Sequence, residues 1–256
     1  PNLRRKHFFN CSRHDKYIMP AGSAADFVAA CKTTKITHAV LVRHASSAPL
    51  REGAASRKDK PHDWKFDDQM RVLTPKGIKQ CEDASASWFK SLDLRAILSS
   101  PARRASETAM RMMANYETEE SKVDSLYLRM VASSHPAGMS EVCESLFETM
   151  GYGPLRKFFE AEGGEQAFQA YGDTVCEEMS TTMTGPSFAE AGSSGSCIAL
   201  FGHAVFLNAI AFKIAQASEF SEESKNALLD LDLGETEGIY INLEDGSFEK
   251  KTSNVP

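Results

Sequence analysis

Apolar residues along this chain fall into two kinds of pattern. Short, nearly unbroken runs occupy 37–42, 95–98 and 197–201, and each ends abruptly on polar residues, at Arg43-His44, Ser99-Ser100 and Gly202-His203. Runs of this length with β-branched residues predict strands buried on both faces. Between them the apolar positions recur at helical spacing. Ile78, Cys81, Ala84 or Ser85 and Trp88 form one stripe, and Ala102, Ala105, Ala109 and Met112 form another. Thr74-Pro75 and Ser100-Pro101 supply an N-cap and a first-turn proline, so helices are expected to begin there. A further strand is expected at 126–128. The alternation around Ile239, Tyr240, Ile241 and Leu243, then Asp245-Gly246 and Phe248, predicts two strands joined by a tight turn.

Strands alternating with helices predict an α/β fold with a mostly parallel central sheet and helices on both faces. Residues 1–35 lack strong periodicity, apart from a short helix near 24–31, and are expected to form an N-terminal extension. The domain proper is then 36–256, with a helical cap around 129–185, where Gly151, Gly153-Pro154 and Gly163-Gly164 punctuate several helices. The stretch 49–71 is charged and broken by Pro61 and Asp63, a long excursion of the kind expected of a functional lid or a disordered segment.

Composition narrows the function. With 29 basic against 35 acidic residues, a net charge of −6, the chain lacks the basic excess of a nucleic-acid binder. Its apolar runs fall short of the roughly 18 residues of a membrane span, so no span is expected. Six cysteines without C-x-x-C spacing point to reduced thiols and an intracellular, reducing compartment. Arg4, Arg5, Lys6 and Arg13, with no acidic residue among the first 14, are compatible with the remnant of an organellar targeting segment of a mitochondrion or plastid. The same extension is a candidate contact for protein partners.

In open α/β sheets ligands bind beyond the carboxyl ends of the strands, and here three strand ends carry polar residues to one edge. Each following helix offers free N–H groups and a positive dipole end, which favour an anion. Arg43 and Arg104 add forked donors suited to a tetrahedral oxyanion. A neutral His44 could attack phosphorus and split one displacement into two. With two arginines and His203 to spread the charge, neither a metal nor another cofactor is expected.

The segments that carry these residues also carry a resemblance. Leu41-Val42-Arg43-His44-Ala45 resembles the Arg-His-Gly signature of the histidine phosphatase superfamily, and 99–109 is similar to its Ser-Ser-Pro-x-x-Arg-Ala-x-x-Thr-Ala segment. Gly202-His203-Ala204 looks like the second-histidine motif, and 73–80 resembles the Leu-Thr-x-x-Gly-x-x-Gln helix start. The resemblance implies a phosphoglycerate mutase-like fold, nearest in motif to the phosphohistidine-phosphatase branch. It implies that His44 is the phosphorylated nucleophile, that Arg43, Arg104 and His203 complete the pocket, and that Ser47 and Ala204 line it. Glu141 is the candidate general acid. A small phosphomonoester or phosphoamidate is the implied substrate, hydrolysed without metal. Ala45 stands where the signature has glycine, a replacement that a positive φ would strain. The competing reading is an inactive relative that serves as an interaction subunit.

Overall fold

The structure, a computed structural model, describes residues 23–50, 63–114, 127–135, 141–190, 195–218 and 220–253. The basic stretch 1–14 and the glycine-rich loop before residue 195 lie wholly or largely outside these residues. Six strands form one sheet: β1 (His38–Arg43), β2 (Leu94–Ser99), β3 (Tyr127–Met130), β4 (Cys197–Gly202), β5 (Gly238–Asn242) and β6 (Ser247–Lys251). Their order is β3-β2-β4-β1-β5-β6. The first four in that order run parallel, whereas β5 pairs antiparallel with β1 and β6 with β5. The expected mostly parallel sheet is present, with an antiparallel hairpin at one edge.

The expected helices follow, with shifted ends, together with two that the sequence pattern did not announce, one inside the excursion 49–71 and one at Glu222–Asp230. α1 (Ala24–Thr34), α2 (Asp63–Gln69), α3 (Pro75–Ser87) and α4 (Arg103–Ala114) precede β3. After it come α5 (Glu141–Met150), α6 (Leu155–Phe159), α7 (Gly164–Thr184) and α8 (Pro186–Glu190), then α9 (Ala204–Ala217) behind β4 and α10 (Glu222–Asp230). α3 starts where its sequence predicts: the Thr74 Oγ1 accepts from the Gly77 N–H at 3.0 Å, with Pro75 in the first turn. α4 starts at Arg103 instead of Pro101, because the Ser100 hydroxyl turns toward His203, 3.0 Å away, and accepts only a 3.3 Å bond from the Ala102 N–H.

The two faces of the sheet are covered unequally. One face carries Val40, Val42, Ile97, Ala199 and Phe201 against α3 and α4, with Cys81, Ala84 and Met112 in contact. The other carries Leu41, Leu98 and Leu200 beneath α1, α7 and α9 and holds the larger core. There Phe147 stacks on Phe158 and Phe206 at ring separations of 4.9 and 5.2 Å, and each such pair adds about 0.5–1.5 kcal/mol beyond area burial. This corrects one boundary. α1 buries Ala24, Phe27, Val28, Ala30 and Cys31, and its first N–H donates to Asp173 on α7 at 3.2 Å. Residues 24–35 therefore belong to the core, and their weak periodicity reflects contact with α7 and α9 together.

Because β2, β4 and β1 are neighbours, their carboxyl ends lie side by side. Arg43 is level with Gly202, and Ser99 is level with Phe201. The loop after each strand opens at the same rim.

Candidate active site

At that rim Arg43, His44, Arg104, His203 and Ala204 line one cavity of about 210 Å³, together with Asp68, Arg71, Phe147, Tyr152, Val205 and Phe206. The His44 and His203 rings meet edge to face, their centroids 5.2 Å apart. Five residues taken from three strand ends are thus brought together.

The loop that carries His44 is held from below by α3 and α4. The Ser46 carbonyl accepts from the Thr74 backbone N–H at 3.0 Å and from its hydroxyl at 3.2 Å. The Ser46 N–H donates to the Gln80 Oε1 at 2.9 Å, and the Gln80 amide donates onward to Glu235 at 3.0 Å. α3 approaches so closely that a Cβ on Gly77 would run into the Ser46 carbonyl oxygen. The Leu-Thr-x-x-Gly-x-x-Gln pattern is therefore a clamp as well as a helix start. From α4, Thr108 accepts from the Ala45 N–H at 3.0 Å and donates to the Arg104 carbonyl at 2.6 Å. Among the described residues, positive φ outside glycine occurs at Lys35 and Thr236 alone, so Ala45 sits in an ordinary conformation and its Cβ introduces no strain.

These contacts define the protonation of both imidazoles. The His44 Nδ1 lies 2.8 Å from the Ala45 carbonyl, which can only accept, so Nδ1 carries the proton. Nε2 is left with its lone pair, toward which the Arg104 Nε–H points at 3.2 Å. For His203 the roles are reversed. Its Nδ1 faces the Arg104 Nη2 at 3.3 Å and must accept, so Nε2 bears the proton and donates to Ser100. Burial, then Arg104 and the other arginines, pushes the His44 pKa down to about 3, and burial with Arg104 holds His203 well below its ordinary value. Both rings are neutral at neutral pH. The third lowered histidine is His135, which packs edge-on 6.3 Å from His203.

Arg43 reaches the cavity from the other side. Its Nη1 donates to the Leu233 carbonyl at 2.6 Å and to the Tyr152 hydroxyl at 3.1 Å, and its guanidinium lies 5.2 Å from the Tyr152 ring centre. The Nε–H is shielded from solvent and has no partner among the described residues.

Two expected residues stand outside this group. Glu141 is exposed at the first turn of α5, whose buried residue is Cys143, and it does not line the cavity. Ser47 pairs with Leu73 in an isolated bridge, and its hydroxyl is shielded without lining the cavity. In exchange the cavity contains an unexpected carboxylate, Asp68 at the end of α2. It bonds to Arg104 at 3.0 Å and to Arg71 at 3.1 Å. The clue in the sequence was an acidic pair, Asp67-Asp68, three residues before an arginine inside the excursion 49–71.

Residues 39–126 match the model of the histidine phosphatase superfamily, branch 1. None of the curated proteins matches the chain in sequence. Among solved structures, a mycobacterial protein described as hydrolase 2 is 14% identical, with 86% of this chain and 93% of that one covered, at a TM-score of 0.51. The mycobacterial glucosyl-3-phosphoglycerate phosphatase, also 14% identical, is covered over 99% of its length and 86% of this chain, at a TM-score of 0.49. At 14% identity the first of these shows a likeness of fold alone.

Proposed function

We propose that the chain belongs to the histidine phosphatase superfamily, whose model matches residues 39–126, and that it is a metal-independent phosphatase working through a phosphohistidine on His44. The observation that supports this best is the tautomer of His44. Its proton is held on Nδ1 by the Ala45 carbonyl, and its Nε2 lone pair faces the cavity's arginine. A ring held below its usual pKa is a nucleophile at neutral pH without a general base to activate it.

In this reading the His44 Nε2 attacks phosphorus in line, the P–O or P–N bond to the leaving group breaks, the leaving group takes its proton from solvent water, and the phosphoryl group passes to nitrogen. Water then attacks the phosphohistidine, releasing inorganic phosphate and restoring the imidazole. Arg104, the unpartnered Nε–H of Arg43 and the N–H groups opening α9 at Ala204 stabilise the equatorial oxygens. Small phosphomonoesters and phosphoamidates fit the volume, and Phe147, Tyr152 and Phe206 give the leaving group an apolar wall. The five described cysteines are free and buried, which supports a reducing compartment for the protein. The reading is tested by hydrolysis of an aryl phosphate by the purified chain in the presence of a chelator. Undiminished turnover is expected, and activity that requires added zinc or magnesium contradicts it.

A further inference from the structure

Arg104 is the buried fork at the centre of the cavity, and in this structure its terminal nitrogens are engaged by the chain itself. Nη1 donates to the Asp68 backbone carbonyl at 2.6 Å, and Nη2 donates to the Asp68 Oδ2 at 3.0 Å. The other carboxylate oxygen takes the Arg71 Nη1 at 3.1 Å, and Arg71 is tied to the Ala48 carbonyl at 2.6 Å. Asp68 thus places its backbone carbonyl and one carboxylate oxygen on the two terminal nitrogens of Arg104 and its other carboxylate oxygen on Arg71, and both arginines line the cavity. A carboxylate and a phosphoryl group cannot share one guanidinium fork at contact distance without strong repulsion in so enclosed a site.

We propose that Asp68 is an intramolecular competitor of the substrate: it fills the phosphoryl position of the resting protein and must withdraw, carrying the end of α2 with it, before a phosphoryl group can bind. The proposal rests on the phosphate-pocket reading above and adds to it a state that the motifs do not contain. The attraction of Arg104 and Arg71 outweighs burial and holds the Asp68 carboxyl below its ordinary pKa, so the competitor stays charged at neutral pH. α2 is suited to such a movement. It is one helix of seven residues, and its Phe66 is 63% exposed rather than packed into the core. The affinity measured for any phosphoryl ligand is then the intrinsic affinity reduced by the fraction of molecules with Asp68 withdrawn.

The test is calorimetric titration of inorganic phosphate into the wild-type chain, Asp68→Asn and Asp68→Ala. If Asp68 is withdrawn in about one molecule in ten, both variants bind phosphate about tenfold more tightly than the wild type. In steady state on an aryl phosphate, KM falls in step while kcat is retained. Equal or weaker phosphate affinity in the variants overturns the proposal. So does a lower kcat at unchanged KM, which would make Asp68 a proton donor. Failure of all three proteins to bind phosphate removes the phosphate-pocket reading itself. Should the variants fold poorly, hydrogen exchange on the wild type decides: saturating phosphate is expected to speed exchange of the Met70 and Arg71 amides, and unchanged or slower exchange contradicts withdrawal.

Discussion

The floor and the roof of the cavity are built on different principles. Floor residues Arg43, His44, Arg104 and His203 come from the ends of three adjacent parallel strands and the segments that follow them, and the two histidines are held from beneath by a hydrogen-bonded core: Thr108 under Ala45, Gln80 under Ser46, Ser100 under His203. Roof residues Asp68 and Tyr152 come from a short helix and a loop and meet the floor at its arginines, Asp68 through an ion pair and a backbone hydrogen bond to Arg104, Tyr152 through a hydrogen bond and a ring contact to Arg43. The contrast teaches where each property resides. In the proposed mechanism chemistry belongs to the floor, because a nucleophile must be held to within fractions of an ångström, and in the proposed withdrawal of Asp68 access belongs to the roof.

Substitutions on the floor should have the largest effects. His44→Ala is expected to reduce kcat by at least about a thousandfold while sparing phosphate binding, since only the nucleophile is lost; steady-state kinetics beside phosphate titration reads both. Arg104→Ala should lower kcat by about 100- to 1,000-fold and also raise KM, because the fork grips ground state and transition state alike. Effects confined to KM would move Arg104 from the chemistry to simple binding. Gly77→Ala touches neither phosphate nor imidazole, yet it is expected to destabilise the fold by about 1–3 kcal/mol by overpacking against Ser46. It should also slow turnover, because the His44 loop must give way; denaturant melts with kinetics on the folded fraction separate the two effects.

Acid sharpens the same contrast, since the floor holds neutral histidines. His44 and His203 are kept unprotonated when folded, whereas in the unfolded chain each takes up a proton below its ordinary value of about 6.5. Unfolding then consumes protons, so stability falls as pH drops from about 6.5, by up to about 1.4 kcal/mol per pH unit for each histidine, and for His44 the loss continues to about pH 3. Denaturant melts between those limits should show a shallower decline in His44→Ala than in the wild type. The smallest effect is expected on the roof. Tyr152→Phe removes the hydroxyl that Arg43 contacts but leaves the ring over the guanidinium, and a change in KM of only about threefold is expected for one partly exposed hydrogen bond.

The same division explains what the sequence made legible. The sheet, its strand ends and the four floor residues could be read because continuous apolar runs and cap residues are local signals, and a parallel sheet then dictates which ends meet. The clamp was visible only as a helix start, since nothing local tells that Gly77 meets Ser46 or that Gln80 meets its N–H. Asp68 was hidden because charge pairing across 36 positions, Asp68 to Arg104, leaves no periodic trace. Glu141 follows from the resemblance alone, as an acid in the segment after the second motif, and its place in the first turn of α5 leaves it exposed. α1 was underrated because its apolar residues serve two helices at once and form no single stripe.

On the proposed mechanism every turnover passes through a covalent phosphoryl group on His44. Rapid quenching of the chain with a phosphate-labelled aryl phosphate should trap up to one phosphoryl group per chain, labile in acid, stable in alkali and mapped to the peptide containing His44. It should be absent from His44→Ala. Label that persists in His44→Ala, or turnover by the wild type with no labile phosphoryl group at any quench time, would contradict it.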